Sequence, residues 1–308
     1  MSELTTIVVN WNTVGLLDDC LASIDAATPA GTSNHVIVVD NGSTVGSVEH
    51  LARRWPDVQV IANRENVGFC RANNQAIRAS SASLLLLVNT DARLHPGGIA
   101  ALQRYFDTDP RAAVVGPRLV YGDGAFQRWT AGRLPRLASM AVFLLGFDRL
   151  RPLRRRGLYL GGDVDEPFRP EWVSSAVMAL RRQALDEVGL LDERIFVYMD
   201  DVDLCSRMTD AGWHVWYASD VTATHFMGSS SKRATGRASP EALRALNRWY
   251  VRRHGAAAGG VLRAVEAVGF AARAVLHGLA ALVGRPSSRA QLAVHTTNLR
   301  LALERIDA

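Results

Sequence analysis

Two adjacent carboxylates, Asp200 and Asp201, follow the apolar run Ile195-Phe196-Val197-Tyr198-Met199; Asp203 comes two residues later, and His225 closes the segment. Burying carboxylates beside apolar side chains costs free energy unless they are paired. A purely structural segment gains little from such a pattern, whereas a site that must take a proton and hold a divalent cation does. Residues 172–232 are therefore the stretch around which the chain is organised. Each residue also has a plainer role open to it. Asp200 and Asp201 can cap a helix starting there, at its positive end, and Asp200 is assigned mainly that role. Asp203 and Arg207 stand at i and i+4 and are expected to pair. A single histidine such as His225 is also open to a structural role. Trp172, Trp213 and Trp216 are expected in the core, with Trp172 kept as a candidate acceptor contact.

Such residues need a scaffold, and the N-terminal half supplies one. Short β-branched or apolar runs at 5–10, 35–39, 58–61 and 84–88 predict buried strands. Helical segments at about 14–26 and from Phe69 to Ala79 alternate with them, which indicates βαβ units and a mostly parallel sheet. Ligands bind at the carboxyl ends of strands in such sheets. Asn10 and Asn12 fall after the first strand, Asp40 after the second and Asp91 after the fourth. Taken singly, Asp40-Asn41-Gly42-Ser43 is also a good turn, and Asp91 can cap a helix near Pro96. Three such ends on one sheet edge favour a site. No GxGxxG follows the first strand and no GxxxxGK[ST] occurs, so dinucleotide and P-loop sites are disfavoured. A metal ion is then the expected partner for a nucleotide's phosphates, with Asp91 placed to hold it.

The 308 residues are 48% hydrophobic and 21% charged, ordinary for a globular chain with a sizeable core. The net charge of +5 is modest, and no nucleic-acid partner is expected. The cysteines Cys20, Cys70 and Cys205 form no CxxC pair, which fits a reducing compartment. The first residues show neither the basic nor the apolar region of a signal peptide, and no uninterrupted run of about 18 apolar residues occurs. The expected location is cytoplasmic, peripheral on the inner face of the cell membrane.

Residues 121–170 change character. Leu137–Phe147 is apolar, and Arg149, Arg151, Arg154, Arg155 and Arg156 crowd the next positions. One reading is a surface excursion with a buried helix. The other is an acceptor-side flap, with Arg154, Arg155 and Arg156 on lipid head groups or diphosphate. Residues 229–239 look like a loop or linker, and 240–308 read as helical. The most apolar part, 264–283, is interrupted by Glu266, Arg273 and His277; it is expected to pack on the domain, with the membrane interface as the alternative. The domain expectation is 1–232, containing the 121–170 excursion, followed by 233–308 as linker and helical extension.

Taken in order, IVVNWN, VVDNGS, NVGFCRANN, LLLLVNTDA and the stretch from WVSSAVMALRR through LDERIFVYMDDVDLCSR to His225 resemble the family 2 glycosyltransferases of GT-A fold. The likeness runs from residue 5 to about 232 and is most similar to actinobacterial rhamnosyltransferases acting on polyprenyl-diphosphate-linked GlcNAc. It implies an α/β, Rossmann-like, mostly parallel sheet flanked by helices, with a C-terminal helical tail. It further implies inverting transfer from a nucleotide-sugar donor, dTDP-L-rhamnose favoured, to a lipid-linked or cell-envelope glycan, with Mg2+ or Mn2+ as cofactor. Asn10, Asn12, Asp40, Asn66, Asn89 and Asp91 would contact the donor. Asn89-Thr90-Asp91 stands at the family's DxD position, Asp91 and His225 would hold the metal, and Asp201 matches the general base.

Three alternatives stay open. A UDP-hexose would serve another polysaccharide pathway. A sugar-phosphate nucleotidyltransferase normally carries a Gly-rich basic N-terminal loop, which IVVNWNTVG lacks. A non-catalytic scaffold would be expected to lose acidic residues, yet Asp40, Asp91 and Asp201 are present.

Overall fold

The computed structural model describes residues 4–226, 240–283 and 286–304. Two compact units emerge, one formed by Met1–Ala131 with Asp163–Arg233, the other by Gly132–Gly162 with Ala234–Ala308. The 121–170 excursion is thus divided: its middle joins the C-terminal helices, and its two ends stay with the sheet. Residues 229–239, expected as a loop, lie outside the described residues.

The first unit is built on strands β1 (Leu4–Asn10), β2 (Asn34–Asn41), β3 (Gln59–Asn63), β4 (Leu84–Asn89), β5 (Ala92–Leu94) and β6 (Ala112–Val120). Two short strands, β7 (Ala131–Gly132) and β8 (Trp172–Val173), precede β9 (Val177–Arg181) and β10 (His214–His225). Its helices are α1 (Val14–Ala27), α2 (Ser47–Arg54), α3 (Phe69–Ala79) and α4 (Gly98–Thr108). The second unit contributes α5 (Leu137–Leu144); α6 (Arg182–Val188) and α7 (Asp200–Asp210) belong to the first; α8 (Pro240–His254), α9 (Ala256–Leu282) and α10 (Pro286–Leu303) to the second.

Eight strands form one sheet in the order β3-β2-β1-β4-β9-β6-β10-β5. The first four run parallel, with Ile7 opposite both Ile37 and Leu87. β1 and β4 are buried on both faces almost throughout, which is why they read as continuous apolar runs, whereas the edge strand β3 is only partly covered. Leu85, Leu86 and Leu87 are almost wholly buried, each contributing about 2 kcal/mol from area removed from water. α1 covers the sheet with Leu17, Cys20, Leu21 and Ile24.

Two antiparallel insertions break the pattern and build the site. β9 slots between β4 and β6, Val88 facing Val177 and Val115 facing Ala179. The chain then reverses after β4, so that three-residue β5 pairs antiparallel with the end of β10, Ala92 opposite His225. That reversal carries Asp91 to the carboxyl end of β10.

In the second unit, α9 buries Gly259, Leu262, Glu266, Gly269 and Phe270 and leaves Val261, Val268, Val275, Leu276, Leu279 and Leu282 exposed. By length and composition it could cross a membrane, although the chain lacks a long unbroken apolar run. The expectation that this segment simply packs is met along one side only.

Candidate active site

Asp91 and His225 meet at the β5–β10 junction, where Phe226 N–H donates to the Asp91 carbonyl at 2.8 Å. His225 Nε2 lies 3.3 Å from Asp91 Oδ1, both side chains largely buried. Gln127 decides the histidine tautomer. Its Nε2 donates to the main-chain oxygens of His225 and of Val120, the latter at 3.2 Å, which leaves its Oε1 facing His225 Nδ1 at 3.1 Å. An amide oxygen only accepts, so Nδ1 carries a proton, and in the neutral ring the Nε2 lone pair points at the carboxylate. Two acceptors facing each other across this gap form a seat for a cation. An amide holding the far nitrogen is the outer-shell support expected of a ligating imidazole.

The residues fit a divalent ion of the Mg2+ or Mn2+ type. Among the described residues no group of three His, Cys, Asp or Glu gathers, so the protein offers a carboxylate and an imidazole. Diphosphate oxygens and water would complete the shell, as is usual for ions bound with phosphate substrates. Asn89 ends β4, two residues before Asp91. Its backbone is committed: its N–H donates to Ala176 O at 2.9 Å, and its carbonyl accepts from Cys20 Sγ at 3.5 Å.

The Ala176 contact leads to the second group. Its neighbour Ser175 donates its hydroxyl to Asp200 and its backbone N–H to Asp201. Burial holds both carboxyls well above the usual carboxylate range; for Asp201 the Asp200 charge adds to the effect. Asp200 is 6% exposed and its Oδ2 has no hydrogen-bond partner. Asp201 is half-buried and accepts from Val202 N–H at 2.8 Å. A half-buried carboxylate with raised proton affinity can take a proton near neutral pH.

Asp200 stands at the positive end of α7 as expected, with its carboxylate accepting first-turn N–H groups, but one residue inside the cap position. The cap position of α7 belongs to Met199, which makes no side-chain cap bond, and Asp200 is the first helical residue. Tyr198 and Met199 both adopt left-handed backbone, φ 63° and 68°. Such conformations cost on the order of 1–3 kcal/mol each in side-chain-bearing residues and cluster at functional sites. The loop is pinned from outside: Phe69 N–H donates to Phe196 O at 2.8 Å, and a Cβ on Gly68 would sit 2.9 Å from the Phe196 ring. Only glycine permits that approach at φ 89°. Asp203 takes a hydrogen bond from Arg207 at 2.9 Å, and Arg207 also ties α7 to the carbonyls of Val188, Gly189 and Leu190.

A polar network lines the ends of β1 and β2. Asn10 donates to Asp40 Oδ1 at 2.9 Å and to Ser43 at 3.2 Å, and accepts from Thr13 at 2.7 Å; Thr13 also reaches Thr90 at 2.9 Å. Asp40 Oδ2 accepts from Ser43 N–H. Asn10 and Asp40 are therefore buried supports whose side-chain groups are engaged within the protein. Exposed Asn12, at φ 57°, accepts from Thr44 N–H, and Trp11 beside it is 45% exposed. Asn66 accepts from Asn41 and from Gly68 N–H, fixing the turn before α3.

One expectation is corrected. Trp172, offered as an acceptor contact, is 3% exposed and belongs to the core. Of Arg154, Arg155 and Arg156, only Arg156 is exposed; Arg154 and Arg155 are half-buried, their carbonyls accepting from Gly161 N–H and Arg133 Nε. Sequence reasoning missed Gln127, Ser175, Ser43 and Thr13. Ser175 was visible inside WVSSAVM, but nothing in the sequence pairs Gln127 with His225.

Residues 5–189 match the family model for Glycosyl transferase family 2. The chain belongs to this family. The matched span includes Asp40 and Asp91 and ends before Asp201 and His225. This family 2 glycosyltransferase is 30% identical over 246 residues to the N-acetylglucosaminyl-diphospho-decaprenol L-rhamnosyltransferase of Mycobacterium tuberculosis, covering 75% of this chain and 78% of that one. It is 24% identical over 208 residues to the dTDP-rhamnosyl transferase RfbF of Shigella flexneri, covering 66% and 63%. The mannosyltransferase PcManGT from Pyrobaculum calidifontis, solved with GDP-Man and Mn2+, superposes with a TM-score of 0.58 at 18% identity, covering 98% of this chain and 86% of that one. The fold is accordingly GT-A-like, and the enzyme is an inverting glycosyltransferase.

Proposed function

We propose that this enzyme transfers rhamnose from dTDP-L-rhamnose to a hydroxyl of a polyprenyl-diphosphate-linked or other cell-envelope glycan. It does so at the cytoplasmic face of the membrane, with Mg2+ or Mn2+ held by Asp91 and His225. The observation that carries the reading is the hydrogen-bonded bridge from Asn89 through Ala176 and Ser175 to Asp200 and Asp201. It couples the strand end bearing Asp91 to the start of α7, which carries the basic carboxylate. The relatives named for rhamnosyl transfer support the donor, and the one named for a decaprenol-linked substrate supports the acceptor.

Inversion is a single in-line displacement. The acceptor oxygen forms its bond to the anomeric carbon while the bond from that carbon to the diphosphate breaks, and Asp201 takes the acceptor hydroxyl proton. Such a base is worth roughly 10²- to 10⁴-fold. Asp200 keeps Asp201 basic, and Ser175 holds both carboxylates in place. Asn10, Asp40, Ser43 and Thr13 shape the nucleoside side, presenting Trp11 and Asn12. A bound divalent ion would supply neutralisation of charge on the departing diphosphate.

Nucleotide release from dTDP-rhamnose, UDP-glucose, UDP-galactose, UDP-GlcNAc and GDP-mannose tests this, with prenyl-diphospho-GlcNAc as acceptor and Mg2+, Mn2+ or EDTA. Turnover of dTDP-rhamnose, dependent on metal and lost in Asp201→Asn, is expected. Turnover of a UDP-sugar instead would overturn the donor, and full activity in EDTA would overturn the metal.

A further inference from the structure

We propose that the outward face of α9 is a docking surface for an anionic lipid bilayer, with the helix lying in the plane of the membrane interface. The inference rests on the lipid-linked acceptor reading above and gives it a physical surface.

A helix at the surface of a globular unit normally turns its apolar stripe inward and its charges outward. α9 packs Leu262, Glu266 and Phe270 inward and leaves a second apolar face exposed. Val261, Val268, Val275, Leu276, Leu279 and Leu282 are all exposed, Val268 at 70% and Leu282 at 84%. They recur at helical spacing along one face, with small residues between them. The polar residues lie on the other side and have partners within the same unit. Arg263 donates to the carbonyls of Ala302 and Glu304, Arg273 to those of Leu144 and Phe143, and Glu266 accepts from Asn247 at 2.9 Å. His277 stacks on His295 with ring centroids 5.2 Å apart. The result is an uncharged apolar strip about 30 Å long at 1.5 Å per residue, the kind of patch that marks an interaction surface.

Charge selects the occupant. Residues 132–162 and 234–308 carry 18 arginines against 5 acidic residues, whereas the rest of the chain carries 17 basic against 25 acidic. Of the described acids in the basic unit, Asp148 and Glu266 are buried, and Glu241 and Glu304 are paired with Arg244 and Arg248. A second copy would set one basic surface against another, while anionic head groups complement it. The segment after α5 repeats the chemistry: Leu145, Phe147 and Leu150 are exposed among exposed Arg149 and Arg151. It departs from Leu144, which packs on Gly269 of α9. Crossing the bilayer would drag Arg263, Glu266, Arg273 and His277 into hydrocarbon. Lying in the interface leaves each with its present partner.

The test is flotation of the full chain with vesicles of phosphatidylcholine, alone or with phosphatidylglycerol, at low and high salt. The wild type is set against a triple variant, Val268→Asp/Leu276→Asp/Leu279→Asp. Thermal melts check that the variant folds, and light scattering reports its mass. Wild type should bind the anionic vesicles and be weakened by salt; the triple variant should bind at least about tenfold more weakly while still turning over donor with a short-chain acceptor. An environment-sensitive probe on L279C, the native cysteines being buried, should shift to the blue on anionic vesicles. Equal flotation of wild type and triple variant, or an unmoved probe, would overturn the proposal. So would a halved mass in the variant with unchanged flotation, which would make the face a contact between copies. Absent donor turnover in both proteins would sink the glycosyl-transfer reading and leave the flotation result standing.

Discussion

His225 Nε2 and Asp91 Oδ1 stand 3.3 Å apart across two strands far separated in sequence, and Gln127 fixes the ring so that a lone pair fills the gap. The ladder that pairs Ala92 with His225 sets this distance, so it belongs to the fold rather than to a mobile loop. Gln127 is then a positioning residue. Gln127→Leu should leave Nδ1 without its acceptor and weaken Mn2+ binding in the presence of nucleoside diphosphate by about 10- to 100-fold. Turnover at saturating Mn2+ should stay within a few-fold. Calorimetric titration of Mn2+ reads the affinity; an unchanged value would mean that the imidazole does not ligate.

The buried pair at the start of α7 sets a pH dependence. Burial raises both carboxyls and the Asp200 charge raises Asp201 further. A base must be ionised to act, so the acid limb of kcat/KM should lie above the ordinary aspartate value of about 4. Asp200→Asn removes the like charge, which favours ionised Asp201, and the limb should move to lower pH. Asp201→Asn should lower kcat by roughly 10²- to 10⁴-fold with donor affinity within about twofold. A limb that stays in place in Asp200→Asn would show that the two groups do not interact.

On the nucleoside side, Asn10 serves three partners at once from a fully buried position. Asn10→Ala should strand Asp40 and Thr13, costing about 1–3 kcal/mol of stability for the unsatisfied groups. Donor binding should weaken in parallel, because Ser43 loses the partner that orients it toward Asn12 N–H. Urea denaturation with donor-binding titration checks both; a stability loss with unaltered donor affinity would confine Asn10 to the core.

The parallel strands were legible because burial on both faces leaves a continuous apolar signature, as in Leu84–Val88. Asp40, Asp91 and Asp201 stood out as candidates because carboxylates at strand ends or beside apolar runs need a reason; Asp40 proves to be a buried support bonded to Asn10 and Ser43. Gln127 was not: it lies 98 residues from His225, and only the antiparallel β5–β10 pairing gives it meaning. Three-residue β5 is too short to leave a periodic signal. The outward turn of α9 was also hidden, because composition reports how apolar a helix is but not which side its arginines face. Arg263 and Arg273 look like interruptions of an apolar run until their carbonyl partners on α10 and α5 are seen.

Glu266 tests the interior of that second unit. Burial raises its carboxyl from 4.5 to about 7, only partly offset by the Asn247 hydrogen bond and Arg263. The folded protein therefore keeps a proton that the unfolded chain has released. Its contribution to stability is full below the unfolded value and is lost as pH rises from about 4.5 to about 7, after which it is constant. The shift corresponds to roughly 3 kcal/mol. His295, lowered to about 4 by burial with Arg273 and His277 adding, acts oppositely over the acid part of that window, so the wild-type profile alone is ambiguous. The difference from Glu266→Gln is not: glutamine keeps an oxygen for Asn247 and cannot ionise. Chemical denaturation from pH 5 to 8 should find the variant close to wild type at the acid end and more stable by up to about 3 kcal/mol above pH 7. Parallel stability curves would place the Glu266 carboxylate in a wetter, better-partnered setting than the one between α8 and α9.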